Sequence, residues 1–78
     1  MDLENVQIFL DVVKSGSITS AASHHYISQP ALGKRLLSLE KELGVELLQR
    51  KKGQAQIKIT PAGKAFIDIA ERMMLLYQ

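Results

Sequence analysis

The 78 residues allow one small domain, near the size at which a single hydrophobic core is only just sufficient. At 46% hydrophobic and 23% charged it has a globular composition; no apolar run approaches the roughly 18 residues of a membrane span and no signal peptide is visible, which fits a cytoplasmic location with no membrane partner. The absence of cysteine excludes disulfides and thiolate metal sites, and the net charge of +2 is unevenly placed. Residues 1–33 carry Lys14 against Asp2, Glu4 and Asp11. Residues 34–58 carry Lys34, Arg35, Lys41, Arg50, Lys51, Lys52 and Lys58 against only Glu40, Glu42 and Glu46. Such a cluster suits a polyphosphate partner, because neutralised phosphates release condensed counterions; a merely solvated basic face is the competing reading.

Asp2 can cap a first helix, in which Leu3, Val6, Leu10 and Val13 recur at helical spacing beside Phe9 and which should end near Gly16. Ile8 and Val12 form a second apolar strip, more than a helix lying on one core requires, so a further surface is expected to cover it. Ser17 then caps a second helix with Ile18, Ala21, Ala22 and His25 along one side. The two alanines favour helix formation in any setting, but they also let another helix approach closely.

Ser28 is the next N-cap, with Pro30 in the first turn, where a missing N–H costs nothing. Leu32, Leu36, Leu39 and Leu43 make the buried stripe of this third helix, and Gly44 stops it. Gln29, Gly33, Lys34, Leu37 and Lys41 occupy another face, with Arg35 at its margin. Glutamine can bond both edge positions of adenine, and Lys or Arg can reach guanine or a phosphate, so this face suits a major groove. A solvated surface explains the lysines equally well. It does not explain Gly33, which costs about 1 kcal/mol relative to Ala inside a helix unless something approaches closely. Leu37 either meets a thymine methyl or completes the core.

Beyond Gly44, Val45, Leu47 and Leu48 can pack beneath the helices, and Arg50-Lys51-Lys52-Gly53 reads as a strand end entering a turn. Gln56 to Thr60 alternates polar and apolar, so a small β-hairpin is expected over about residues 48–60, its basic tip a wing for a phosphate backbone or minor groove. Thr60-Pro61 starts a last helix over residues 61–78. There Phe66, Ile69, Met73 and Leu76 repeat in steps of three and four, as a coiled-coil seam does, widened by Ile67, Ala70, Met74 and Tyr77. So broad a surface is expected to join a homodimer, with Ile8 and Val12 of the first helix as a resting place for the partner.

The predicted fold is therefore mainly α: a winged helix-turn-helix over residues 1–60, built from a three-helix core and a hairpin wing, followed by a linker helix. The helix-turn-helix itself spans about residues 18–37. In this arrangement the chain resembles the N-terminal domain of LysR-type bacterial transcriptional regulators. The resemblance covers essentially the whole chain and is carried by Gly16-Ser17-Ile18, Ala21-Ala22, Ser28-Gln29-Pro30-Ala31-Leu32, Leu39-Glu40, Leu43-Gly44, Leu47, Arg50 and Thr60-Pro61-Ala62-Gly63. It implies sequence-specific binding of double-stranded DNA by a dimer joined through the linker helix. A separate effector-binding domain, absent from these residues, would bring the small-molecule effector and allow higher oligomers. By the same resemblance Ser28, Gln29, Pro30, Lys34 and Arg35 read bases, Arg50, Lys51 and Lys52 grip the backbone, and Thr19 faces a phosphate. Gly33 stands where the family often has serine, His25 replaces a usual leucine and Leu48 a usual phenylalanine. The stretch from Arg50 to Thr60 is slightly longer than the family pattern.

Two other classes compete. An enzyme could be drawn on paper from His24, His25, Asp11 and the serines, but adjacent helical residues point about 100° apart and so small a domain offers little room for a pocket. The same geometry argues against a metal site, and no cofactor is expected. A winged helix that binds only protein through its last helix is the second. Within DNA binding, the winged-helix domain of molybdate-responsive regulators is the near rival.

Overall fold

Polar caps start the helices at the positions the sequence marks for them. The computed structural model describes residues 1–50, Arg50 by its backbone, and 57–77. Within these the order is α1 (Leu3–Ser15), α2 (Ile18–His24), α3 (Gln29–Leu43), β1 (Leu48–Arg50), β2 (Ile57–Ile59) and α4 (Pro61–Leu76). Each N-cap side chain accepts a backbone N–H: Asp2 from Glu4, Ser17 from Ser20, Ser28 from Ala31 and Thr60 from Gly63. Such caps each contribute about 1 kcal/mol. Gly16 (φ 69°) and Gly44 (φ 73°) end α1 and α3 in the left-handed conformation, donating to the Val12 and Glu40 carbonyls.

The core is gathered around α1, which touches α2, α3 and α4. Val6, Ile8, Phe9 and Val12 are all buried there, with Leu32, Leu36 and Leu39 from α3, Ala21 and Ala22 from α2, and Phe66 and Ala70 from α4. This corrects the expectation that Ile8 and Val12 await a second copy. They are 0% and 1% exposed within the single chain, because a helix with three neighbours needs apolar residues on more than one side. Phe66 is likewise internal at 6% exposure, its ring tilted against Phe9 with centroids 5.6 Å apart. Of the predicted seam, Ile69 and Leu76 face outward and Met73 is half-buried.

β1 and β2 pair antiparallel in the register Leu48–Ile59, Gln49–Lys58 and Arg50–Ile57, forming the base of the expected hairpin. Thr60 fastens that base to α4. Its N–H donates to the Leu47 carbonyl at 3.0 Å, its hydroxyl donates to the Glu46 carbonyl at 2.5 Å, and the same oxygen caps Gly63. Gly63 lies so close to the backbone just before β1 that an added Cβ would drive into the Leu47 carbonyl oxygen. The result is the mainly α winged helix-turn-helix that the sequence predicts. Among the described residues no helix is long and apolar enough to cross a membrane.

Candidate nucleic-acid interface

The α2–α3 unit is held from inside by small and large apolar residues in complementary places. Ala21 and Ala22 are 0% and 3% exposed, so α2 presents almost no side chain between its backbone and its neighbours. The turn is tied by the Tyr26 N–H to the Ser23 carbonyl and the Ile27 N–H to the Ala22 carbonyl, with Tyr26 itself in the left-handed region at φ 56°. Its ring is 95% exposed. From there the Leu32, Leu36 and Leu39 stripe anchors α3 and fixes which of its residues must point outward.

That outward face contains Gln29, Pro30, Lys34 and Leu37, all exposed, with half-buried Gly33 between them; together they line one shallow groove. Leu37 is 56% exposed, which settles its two readings in favour of the surface. Ser28 stands at the groove's helix-start end, its hydroxyl oxygen accepting the Ala31 N–H at 3.2 Å. Thr19, exposed on α2, joins the same face: the Gln29 amide nitrogen donates to its hydroxyl oxygen across 3.0 Å. Four of the residues expected to read bases, Ser28, Gln29, Pro30 and Lys34, are thus brought onto one surface with Gly33, Leu37 and Thr19.

Arg35 departs from them. Its guanidinium turns toward the start of α1, donating to the Asn5 side-chain oxygen at 2.9 Å and pairing with Glu4 at 2.9 Å and Asp2 at 3.4 Å. The correction follows from helix geometry, since one residue past Lys34 rotates the side chain by about 100°. There the acidic first turn of α1 meets it. Asn5 is 6% exposed and Arg35 supplies its side-chain partner, so the contact serves the fold. Lys51 and Lys52 lie outside the described residues, as does the Arg50 side chain. Lys58 on β2 is exposed.

Two positions carry more than the sequence reading assigned them. Glu40 of α3 accepts the backbone N–H groups of Leu47 and Leu48 at 2.6 and 3.3 Å, bracing the hairpin against α3. Within the sequence its only signal is the Leu39-Glu40 pair. His25, close to the end of α2, places Nε2 2.6 Å from the Asp11 carboxylate and so links α1 to the turn, whereas His24 is exposed. Among the described residues no group of three or more His, Asp or Glu is arranged to hold a metal ion.

With this geometry established, residues 3–64 match the family described as bacterial regulatory helix-turn-helix protein, lysR family. The chain belongs to the lysR family. BenM, an HTH-type transcriptional regulator of Acinetobacter baylyi, is 38% identical over 74 residues, covering 95% of this chain and 24% of BenM. TfdT, from Cupriavidus pinatubonensis, is 32% identical over 78 residues, covering 100% of this chain and 33% of TfdT. The chain therefore spans a quarter to a third of the length of these curated lysR relatives. The fold is shared with the CbnR DBD–DNA complex at a TM-score of 0.89 and 34% identity, over 99% of this chain and 86% of that one. The BenM DBD/catB site 1 DNA complex gives 0.87 and 36%, over 99% and 81%. The lysR assignment favours the LysR reading over the molybdate-type alternative.

Proposed function

We propose that this chain is the DNA-binding part of a LysR-type transcriptional regulator, recognising duplex DNA by sequence and catalysing no reaction. The observation that carries the reading is the exposed groove of Gln29, Pro30, Gly33, Lys34 and Leu37 at the N-terminal half of a helix whose opposite face is anchored in the core. A helix presented in this way fits the width of a B-DNA major groove, where Gln and Lys find the donors and acceptors that distinguish base pairs. Arg50, Lys51 and Lys52 of the wing supply charge for the backbone or minor groove. The lysR relatives' printed descriptions as transcriptional regulators, and the two DNA complexes, support the same partner.

Ile69, Met73 and Leu76 on the outer side of α4, spaced four and three residues apart, are the surface for a symmetric homodimer. Two recognition helices would then address half-sites about one helical turn, roughly 34 Å, apart or a multiple of it. An effector-responsive domain and higher oligomers belong to a longer protein, and action on chromosomal DNA places that protein in the bacterial cytoplasm. Titration of the chain against a duplex pool by gel shift tests the central reading. Binding at low salt should weaken by about tenfold between 50 and 200 mM salt even if only two phosphates are neutralised. No binding at low salt would overturn it.

A further inference from the structure

We propose that Thr19 is a positioning residue that decides which base Gln29 reads, by fixing the orientation of the Gln29 amide. The inference rests on the DNA-binding reading and deepens it. Its starting point is the 3.0 Å hydrogen bond from the Gln29 amide nitrogen to the Thr19 hydroxyl, made between two exposed residues ten positions apart on different helices. Nothing in the core requires this contact, and it lies beside the outward groove of α3.

In the free chain the pair is chemically ambiguous. A hydroxyl can accept from the amide N–H or donate to the amide oxygen, so a glutamine beside a threonine can sit either way round. A phosphate removes the ambiguity, because its oxygens only accept. A Thr19 hydroxyl that donates its proton to the DNA backbone has only lone pairs left for Gln29, and Gln29 must then turn its N–H toward it. The Gln29 oxygen and its second N–H remain for a base edge. One acceptor beside one donor complements adenine, which offers the N6 amino group and N7; guanine offers acceptors at both O6 and N7 and leaves the Gln29 oxygen unpaired. A backbone contact that carries no sequence information thereby becomes a determinant of base choice.

The test uses the intact chain. Duplexes are first selected from a random pool with the unmodified protein, and Gln29→Ala identifies the base pair whose preference depends on Gln29. Affinities for all four bases at that position are then measured with Thr19→Val, which keeps the shape and loses the hydroxyl, and with Thr19→Ser, which keeps the hydroxyl. The unmodified chain and Thr19→Ser should favour adenine over guanine. Thr19→Val should weaken every sequence and also compress that preference by about three- to tenfold, the worth of one orienting hydrogen bond. A thermal melt matching that of the unmodified chain shows that Thr19→Val is folded. Uniform weakening with the adenine preference intact would overturn the proposal while leaving DNA binding untouched, as would the lack of any Gln29-dependent base pair. Failure of the unmodified chain to bind any duplex would instead overturn the underlying reading.

Discussion

Replacing Gly63 with alanine should destabilise the domain, although alanine is the better helix former. In the first turn of α4 the new Cβ would meet the Leu47 carbonyl oxygen inside contact distance, and Ile59 Cγ2 at 2.9 Å. The isoleucine methyl can yield by a rotamer change; the carbonyl is backbone and can move only with β1. That oxygen also accepts the Thr60 N–H at 3.0 Å, so displacing it weakens the bond joining the hairpin to α4. Overpacking of this kind costs about 1–3 kcal/mol, and a weakened buried hydrogen bond adds about 1 kcal/mol. Helix propensity returns less than about 1 kcal/mol at a first-turn position. The net loss is about 2 kcal/mol, a fall in Tm of about 8–16 °C for a domain this size. Gly44→Ala is the control: its Cβ would enter open space, and only the φ of 73° opposes it, so its cost should be nearer 1 kcal/mol. Far-UV circular dichroism of both variants through thermal and urea unfolding measures the two effects. A Tm for Gly63→Ala at or above that of the unmodified chain would refute the close-packing account.

Glu40→Ala leaves the Leu47 and Leu48 N–H groups without their carboxylate and should cost about 1–2 kcal/mol in urea unfolding, with an unchanged midpoint counting against the brace. Lys34→Ala should alter base preference as well as affinity in a duplex selection. Arg35→Ala should leave preference alone and lower stability by about 0.5–1 kcal/mol, a small figure because the side chain is 36% exposed; a changed preference would return Arg35 to the reading face. Ile69→Glu should shift sedimentation toward monomer while leaving the Tm unchanged at concentrations where the unmodified chain is itself monomeric, since the side chain is 54% exposed in the single chain. Unchanged sedimentation as a dimer would exclude this side of α4 as the interface.

The helices were legible because their signals are local. Asp2, Ser17, Ser28 and Thr60 cap through bonds spanning two or three residues, and Gly16 and Gly44 stop helices through their own φ angles, so no knowledge of the tertiary fold is needed. Ile8 and Val12 show where that reasoning ends. Periodicity reveals that α1 has two apolar sides but not which neighbour fills the second, and a helix lodged among three others has the same pattern as one awaiting a partner. Gly63 is visible only as part of a motif, since its reason, the approach of the Leu47 carbonyl, comes from the residue just before β1, sixteen positions earlier in the chain.

On α3 the limit of sequence reading falls between adjacent residues. Lys34 and Arg35 carry the same charge and suit the same task, yet the rotation between neighbouring positions sends one to the groove and the other to Asp2, Glu4 and Asn5. The acidic first turn of α1 thus cancels a positive charge that composition alone would count toward DNA. The positive charge of the groove comes from Lys34, flanked by uncharged Gln29, Gly33 and Leu37. Such a face suits discrimination by hydrogen bonding and shape more than by bulk charge, and the proposed reading assigns sequence-independent attraction to Lys51 and Lys52. Neutralising Lys51 and Lys52 should therefore flatten the salt dependence of binding while preserving the order of preferred sequences. If the order changes with the slope, the wing reads bases too and the division of labour fails.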